Sequence, residues 1–181
     1  DREADICIIG AGYTGLWTAY YLKKADPSLN IVMVEREFAG FGGSGRNGGW
    51  LSGGFGWSRE KYLRTSTRGA VVDMQRAMAG TVDEVIRVTE AEGIDADILR
   101  VDNITFATNR PQLERAGEEY RFYLDWEMPS ERIAMLSAEE AAKRIRVANV
   151  LGAFVIRDMA RVQPAKLVRG LAEVVERLGV S

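Results

Sequence analysis

Two kinds of hydrophobic spacing alternate along the chain, and they predict its elements. Ile6-Cys7-Ile8-Ile9 and Ile31-Val32-Met33-Val34 are short unbroken apolar runs, the pattern of buried strands. Between them Leu16, Ala19, Tyr20 and Lys23 recur at intervals of three and four, predicting a helix over about Tyr13 to Lys24 that Asp26-Pro27 ends. Glu60 to Glu92 reads as helix interrupted near Gly69 or Gly80, with Val71, Met74, Met78, Val82, Val85 and Val88 facing a core. Gly93 closes it. Leu99 to Thr108 alternates as a strand, and Asn109-Arg110-Pro111 opens a helix on which Leu113, Ala116, Glu119 and Tyr120 share a face. Ser137 and Glu140 have capping-box spacing for a short helix ending near Ile145. Phe154 to Ile156 reads as a short strand. Gln163-Pro164 then opens a last helix with Leu167, Leu171, Val174, Val175 and Leu178 on one side.

The first strand runs into Gly10-Ala11-Gly12-Tyr13-Thr14-Gly15, a G-x-G-x-x-G turn, and the second ends on Glu35, twenty-five residues beyond Gly10. Strand, glycine turn, helix, strand and acid in this order form the dinucleotide-binding βαβ pattern. Gly10 permits the tight turn, Gly12 leaves room for a pyrophosphate, and Gly15 lets the helix approach the sheet. The helix N-terminus supplies unpaired N–H groups and positive potential for phosphate charge. Glu35 accepts hydrogen bonds from both hydroxyls of an adenosine ribose and repels a 2′-phosphate, so an unphosphorylated ribose is expected.

Beyond Glu35 the composition changes. Nine glycines fall between Gly40 and Gly56, interleaved with Phe41, Ser44, Arg46, Asn47, Trp50 and Phe55 and followed by Trp57. So many aromatics do not suit a flexible linker, nor so many glycines a packed helix. The segment reads as a loop wrapped over a large planar ligand, with Arg46 and Asn47 as directed donors. Trp50 and Trp57 either shield that ligand or plug the core. Arg46 either places a fixed positive charge at the ligand or pairs with a surface carboxylate. Phe122, Tyr123 and Trp126 either line a pocket or bury their helix against a sheet.

The chain has 181 residues, a formal charge of −2, one cysteine and no histidine. The charge balance gives no general attraction for nucleic acid or anionic membrane. Lack of histidine removes the commonest base and metal ligand, and no metal site is expected. Cys7 cannot form an internal disulfide and is assigned a core position in a reducing compartment. Asp1-Arg2-Glu3-Ala4-Asp5 lacks a signal arrangement, and cytoplasm is the expected location. Two sheet strands near the nucleotide would leave open edges and a bare apolar face, so the chain is expected to be a piece of something larger.

The chain resembles the FAD-dependent amine and amino-acid oxidoreductases of the D-amino-acid oxidase, glycine oxidase and sarcosine oxidase superfamily, especially the gamma-glutamylputrescine oxidase and aminophosphonate oxidoreductase branch. The likeness rests on Asp5 through Leu16, Val34-Glu35, Gly43-Ser44-Gly45-Arg46-Asn47-Gly48-Gly49, and Ala160 through Leu167. It covers about the first half of a family member. It implies an α/β fold: a Rossmann-like FAD-binding domain at 1–92 and again at 151–181, with an inserted α+β portion of a substrate domain at 93–150. It implies FAD contact by Gly10, Gly12, Tyr13, Thr14, Gly15, Glu35, Arg36, Gly43, Ser44, Arg46, Asn47, Gly48 and Gly49, with Arg46 as the catalytic candidate near the flavin. The implied reaction in the full-length protein is oxidation of a C–N bond in an amine, amino acid or aminophosphonate, by hydride transfer to flavin N5, the electrons then passing from reduced flavin to O₂. The 181-residue chain alone is expected to be inactive, its partner being the absent second half or another copy. A non-catalytic FAD-binding subunit and an NAD(P)H-using flavin hydroxylase are the alternatives.

Overall fold

A computed structural model describes residues 3–181, so part of the leader reading at Asp1 and Arg2 lies outside the described residues. The chain divides into two compact units. Unit 1 comprises residues to Trp50, then Glu84–Leu99 and Arg161–Ser181; unit 2 comprises Leu51–Asp83 and Arg100–Ala160. Compactness thus draws its bounds at different places from the 92/93 and 150/151 divisions expected from sequence, because residues 51–83 pack with unit 2.

In unit 1, β1 (Ile6–Ile9) and β2 (Ile31–Val34) pair in parallel, Ile6 opposite Ile31 through Ile9 opposite Val34, with α1 (Tyr13–Ala25) between them. Helix α1 and the last helix, named α6 below (Pro164–Arg177), pack through Leu16, Ala19, Tyr20, Leu171, Val174 and Val175 around Ile31. Burying each of the leucine, valine and isoleucine side chains among them is worth roughly 1.5–3 kcal/mol. Pro164 occupies the first turn of α6, where its missing N–H costs nothing, and Gln163 Oε1 caps the Lys166 N–H at 2.7 Å. Lys23 is buried because its ammonium bonds to the carbonyls of Pro27 and Leu29 at 2.6 and 3.0 Å, closing the end of α1. Ser181 accepts from Met33 N–H (2.8 Å) and donates to Ile31 O (3.1 Å), one parallel rung opposite Val32.

The core assignment of Cys7 is corrected. Cys7 is exposed, and so is Ile9, at 87%. The helices cover one face of this two-stranded sheet, and Cys7 and Ile9 point from the other by strand alternation.

In unit 2 the ten-residue β6 (Gly152–Arg161) is central. It neighbours β3 (Trp50–Leu51) and β4 (Leu99–Ala107), and β5 (Ile133–Ser137) pairs with it antiparallel, Ile133 opposite Ile156. Helix α4 (Arg110–Asp125) starts where Asn109 caps the Gln112 N–H and lies on β5 and β6 through Ala116, Tyr120 and Tyr123. The capping box at Ser137 and Glu140 forms as expected, at 3.2 and 2.8 Å, and starts α5 (Ala138–Arg144). The helical segment breaks at residues 64–67, between α2 (Arg59–Leu63) and α3 (Arg68–Ala91), rather than at Gly69 or Gly80. On α3 the buried positions are Val71, Val72, Gln75, Val82, Val88 and Thr89, while Met74 is exposed.

Candidate functional site

Four segments of unit 1 converge on the N-terminus of α1. Gly10 leaves β1 with φ +98°, a left-handed angle that a side chain strongly disfavours, and its N–H donates to Val34 O at 2.8 Å. A Cβ on Gly15 would lie 2.2 Å from the Gly10 carbonyl oxygen, so the close turn requires glycine. Glu35 ties the second strand end to the turn. Its Oε2 accepts from Ala11 N–H and its Oε1 from Glu37 N–H, both at 3.0 Å. Those N–H donors, Glu37 first, hold the carboxyl below its ordinary value, so it is anionic at neutral pH. A carboxylate has about four lone-pair directions, more than these backbone donors use, so acceptor capacity remains for a ligand.

The glycine-rich loop is folded onto the same place. Gly40 N–H donates to Ala11 O (2.9 Å), and Gly45 N–H to Gly40 O (3.1 Å). Residues Gly43–Gly45 form a 3₁₀ turn that brings Ser44 Oγ within 2.9 Å of the Tyr13 N–H, satisfying one open donor of α1. A Cβ on Gly12 would meet that same Oγ at 2.9 Å. The space Gly12 leaves is therefore used in part by Ser44, whose hydroxyl proton stays available for an anion.

Asn47 holds the loop in shape, donating to the Gly43 and Ser44 carbonyls (both 3.0 Å) and accepting from Gly49 N–H (2.8 Å). Gly49, at φ +72°, is buried, and its carbonyl accepts from Val162 N–H at 2.8 Å; both its backbone groups are committed within the fold. Gly48 is exposed. The Tyr13 hydroxyl donates to Pro164 O at 3.0 Å, and burial raises its pKa to about 12. Thr14 is exposed and its carbonyl accepts from the Thr18 hydroxyl.

Arg46 is exposed and lies over the Phe41 ring, 4.4 Å from its centroid; among the described residues it has no carboxylate partner. The surface ion-pair option is thereby replaced by a cation–π contact. Arg36 pairs with Glu37, at 3.2 Å, and its charge also acts on Glu35. Trp50 and Trp57 are exposed at 74% and 64%, so neither plugs the core. Beside the loop, Asn47, Gly48, Trp50, Asp97, Arg161 and Gln163 line an open cavity of ≈ 590 Å³. Sequence reading missed Asp97, Arg161 and Gln163 there; a non-glycine residue at φ +49°, Asp97, has no sequence signal.

The profile of the FAD dependent oxidoreductase family, DAO, matches residues 5–181. The chain belongs to that family. Gamma-glutamylputrescine oxidoreductase of Escherichia coli (strain K12) is 28% identical over 180 residues, covering 97% of this chain and 40% of that protein. Among solved structures, glycine oxidase from Geobacillus kaustophilus superposes with a TM-score of 0.77 at 22% identity, over 100% of this chain and 46% of that one. L-Amino acid deaminase from Proteus myxofaciens gives 0.76 at 18%, over 100% and 38%. The DAO chain described here spans less than half the length of these relatives and has their Rossmann-like α/β fold.

FAD is the family's cofactor, and unit 1 fits its adenosine diphosphate end. The Cβ positions of Gly10, Gly42 and Gly43 meet nothing within 4 Å, leaving open backbone for a close-lying ligand. Glu35 supplies acceptors, and Ser44 and the α1 N-terminus supply donors for a diphosphate.

Proposed function

We propose that this chain holds the adenosine–pyrophosphate part of FAD for an enzyme that oxidises a C–N bond of a small amine or amino acid. The observation that carries the reading is the convergence of Glu35, the Gly10–Gly15 turn and Ser44 on one helix N-terminus. In this reading Glu35 binds the ribose hydroxyls through its remaining acceptor capacity. The α1 N-terminus and Ser44 Oγ take the diphosphate, Asn47 fixes the loop, and Gly43 and Gly48 give it close approach. Tyr13, Thr14 and Gly49 support the turn, and Arg36 borders the ribose. Arg46, unpaired and exposed, offers a positive charge toward the isoalloxazine. Bound flavin would accept the hydride and pass electrons to O₂. Protein groups bind, orient and exclude water.

Within this class, the likeness to gamma-glutamylputrescine oxidoreductase supports a polyamine-derived amine ahead of an aminophosphonate or a free amino acid. No described helix is long and apolar enough to cross a membrane. The single thiol suits a reducing, cytoplasmic setting.

The test is spectroscopic. Purified protein reconstituted with FAD should show bands near ~370 and ~450 nm. Glu35→Ala should weaken FAD binding by about tenfold or more, the loss expected for hydrogen bonds to a charged group. In the longer protein, amines should bleach the ~450 nm band anaerobically without nicotinamide. Equal FAD affinity in native and Glu35→Ala protein would sink the binding site. Bleaching by NADPH alone would replace the oxidase with a hydroxylase.

A further inference from the structure

Unit 2 contains a cavity of ≈ 200 Å³ whose lining includes Arg59, Arg132, Arg157 and a single carboxylate, Asp158. Asp158 Oδ2 pairs with Arg132 Nε at 3.2 Å. Arg157 donates from Nη1 to the backbone carbonyl of Glu131 at 2.6 Å, and Arg59 donates from Nε to Gln75 Oε1 at 3.0 Å and from Nη2 to the same oxygen. Both acceptors are neutral. Among the described residues neither Arg59 nor Arg157 has a carboxylate within ion-pair distance. Three guanidiniums therefore line one small cavity with one carboxylate, Asp158, which Arg132 engages, while Glu60 acts on Arg59 from outside the lining.

The arrangement around Arg59 makes that charge a fixed one. Its guanidinium sits among the rings of Phe122, Tyr123, Phe55 and Trp126, with centroids 5.0, 5.1, 5.2 and 5.7 Å away. Gln75 is itself buried and anchored by its amide to the Trp126 carbonyl at 3.0 Å. Ring faces and one amide oxygen account for a caged arginine on their own. They do not account for the half-buried Arg157 guanidinium on the same cavity, because like charges brought together repel unless an anion lies between them.

We propose that this cavity binds the oxyanion group of a small organic molecule, a carboxylate or a phosphonate, between Arg59 and Arg157. The guanidinium forks match either group. The walls from Phe55, Met128 and Ile156 select an organic anion over an inorganic one. The volume lies below the roughly 300–1,000 Å³ of drug-sized sites, which restricts the occupant to a small molecule. The site stands apart from the FAD reading, since every lining residue belongs to unit 2.

Calorimetric titration of the protein with benzoate, methylphosphonate, inorganic phosphate and neutral benzamide tests it. Saturable binding is expected for benzoate or methylphosphonate, with none for benzamide, and the better of the two anions identifies the headgroup. Arg157→Gln should weaken that binding by about tenfold to a hundredfold, as loss of a charge-assisted contact does. Arg59→Lys should weaken it similarly, whereas Arg115→Gln on the surface should not change it. Prior saturation with ADP, which addresses the Gly10–Gly15 turn, should leave the affinity intact. The proposal is overturned if neither organic anion binds saturably, if inorganic phosphate binds better than both, if native and Arg157→Gln proteins bind alike, or if ADP competes.

Discussion

At Gly15 the first turn of a helix and the turn out of a strand compete for one space. Replacing it by alanine puts a methyl carbon 2.2 Å from the Gly10 carbonyl oxygen and 3.1 Å from Ile8 Cγ2. Such carbons essentially never approach within 3.0 Å, so the shortfall from 3.0 to 2.2 Å forces a movement of at least 0.8 Å. The obstructing atom is backbone and cannot rotate aside. Overpacking of this kind costs about 1–3 kcal/mol. Displacement of the turn also takes the Tyr13 N–H, now 2.9 Å from Ser44 Oγ, out of hydrogen-bond range. That loss adds about 1 kcal/mol. Alanine gives back about 1 kcal/mol through its better helix propensity. The expected net destabilisation is about 2 kcal/mol, or a fall in Tm of about 4–8 °C for a chain this size. Gly43→Ala is the control, since nothing lies within 4 Å of its Cβ position. It should change stability by no more than ~0.5 kcal/mol. Urea unfolding reads both, as a shift in midpoint at unchanged slope. The reasoning fails if Gly15→Ala unfolds within ~0.5 kcal/mol of the native protein, or if Gly43→Ala proves as costly.

Asn47→Ala removes three bonds that shape the loop and should speed proteolytic cutting between residues 43 and 49 while leaving the core unfolding midpoint within about 1–2 kcal/mol. Unchanged cleavage kinetics would contradict the staple role. Ser137→Ala should cost about 1 kcal/mol through loss of the α5 cap, read by urea midpoint, with no change in FAD affinity. Acid should destabilise unit 1. Arg87 and Tyr21 hold the Glu84 carboxyl down at about 2, and Lys24 and Tyr20 lower that of Glu92. Both folded values lie below the unfolded glutamate value of about 4.3, so their stabilisation is present above that pH and lost as pH falls toward 2. A urea midpoint that stays flat from pH 6 to pH 3, or falls as steeply in Glu84→Gln, would reject this.

The parts legible in sequence were those with local causes. The βαβ unit announced itself through Gly10, Gly15 and Glu35; helix starts at Asn109, Ser137 and Pro164 followed from capping chemistry that acts over three residues. What escaped depends on distant partners. β5 has no alternation in Ile133-Ala134-Met135-Leu136 and is a strand because β6 pairs with it. β6 extends through Arg157 and Asp158, polar residues with no strand preference, and the second has φ 60°. Cys7 was placed in the core because an apolar run does not say which of its faces is covered. At the loop, the glycines and Asn47 were legible as a constrained turn, but its anchors on Ala11 and Val162 lie far along the chain.

The anchoring of Gly49 has a consequence for how the chain tolerates change. Gly49 O accepts from Val162 N–H, and Ala96 O accepts from Gln163 N–H, both at 2.8 Å. Three of the four points where the backbone passes between the units, after Trp50, after Leu99 and before Arg161, are thus each preceded or followed by a stitched residue in unit 1. Insertions or deletions farther out along those excursions need not loosen the stitches, because closing a longer loop costs only logarithmically more. The nucleotide end should therefore accept grafts: the same knot of glycines could carry excursions of quite different length and content.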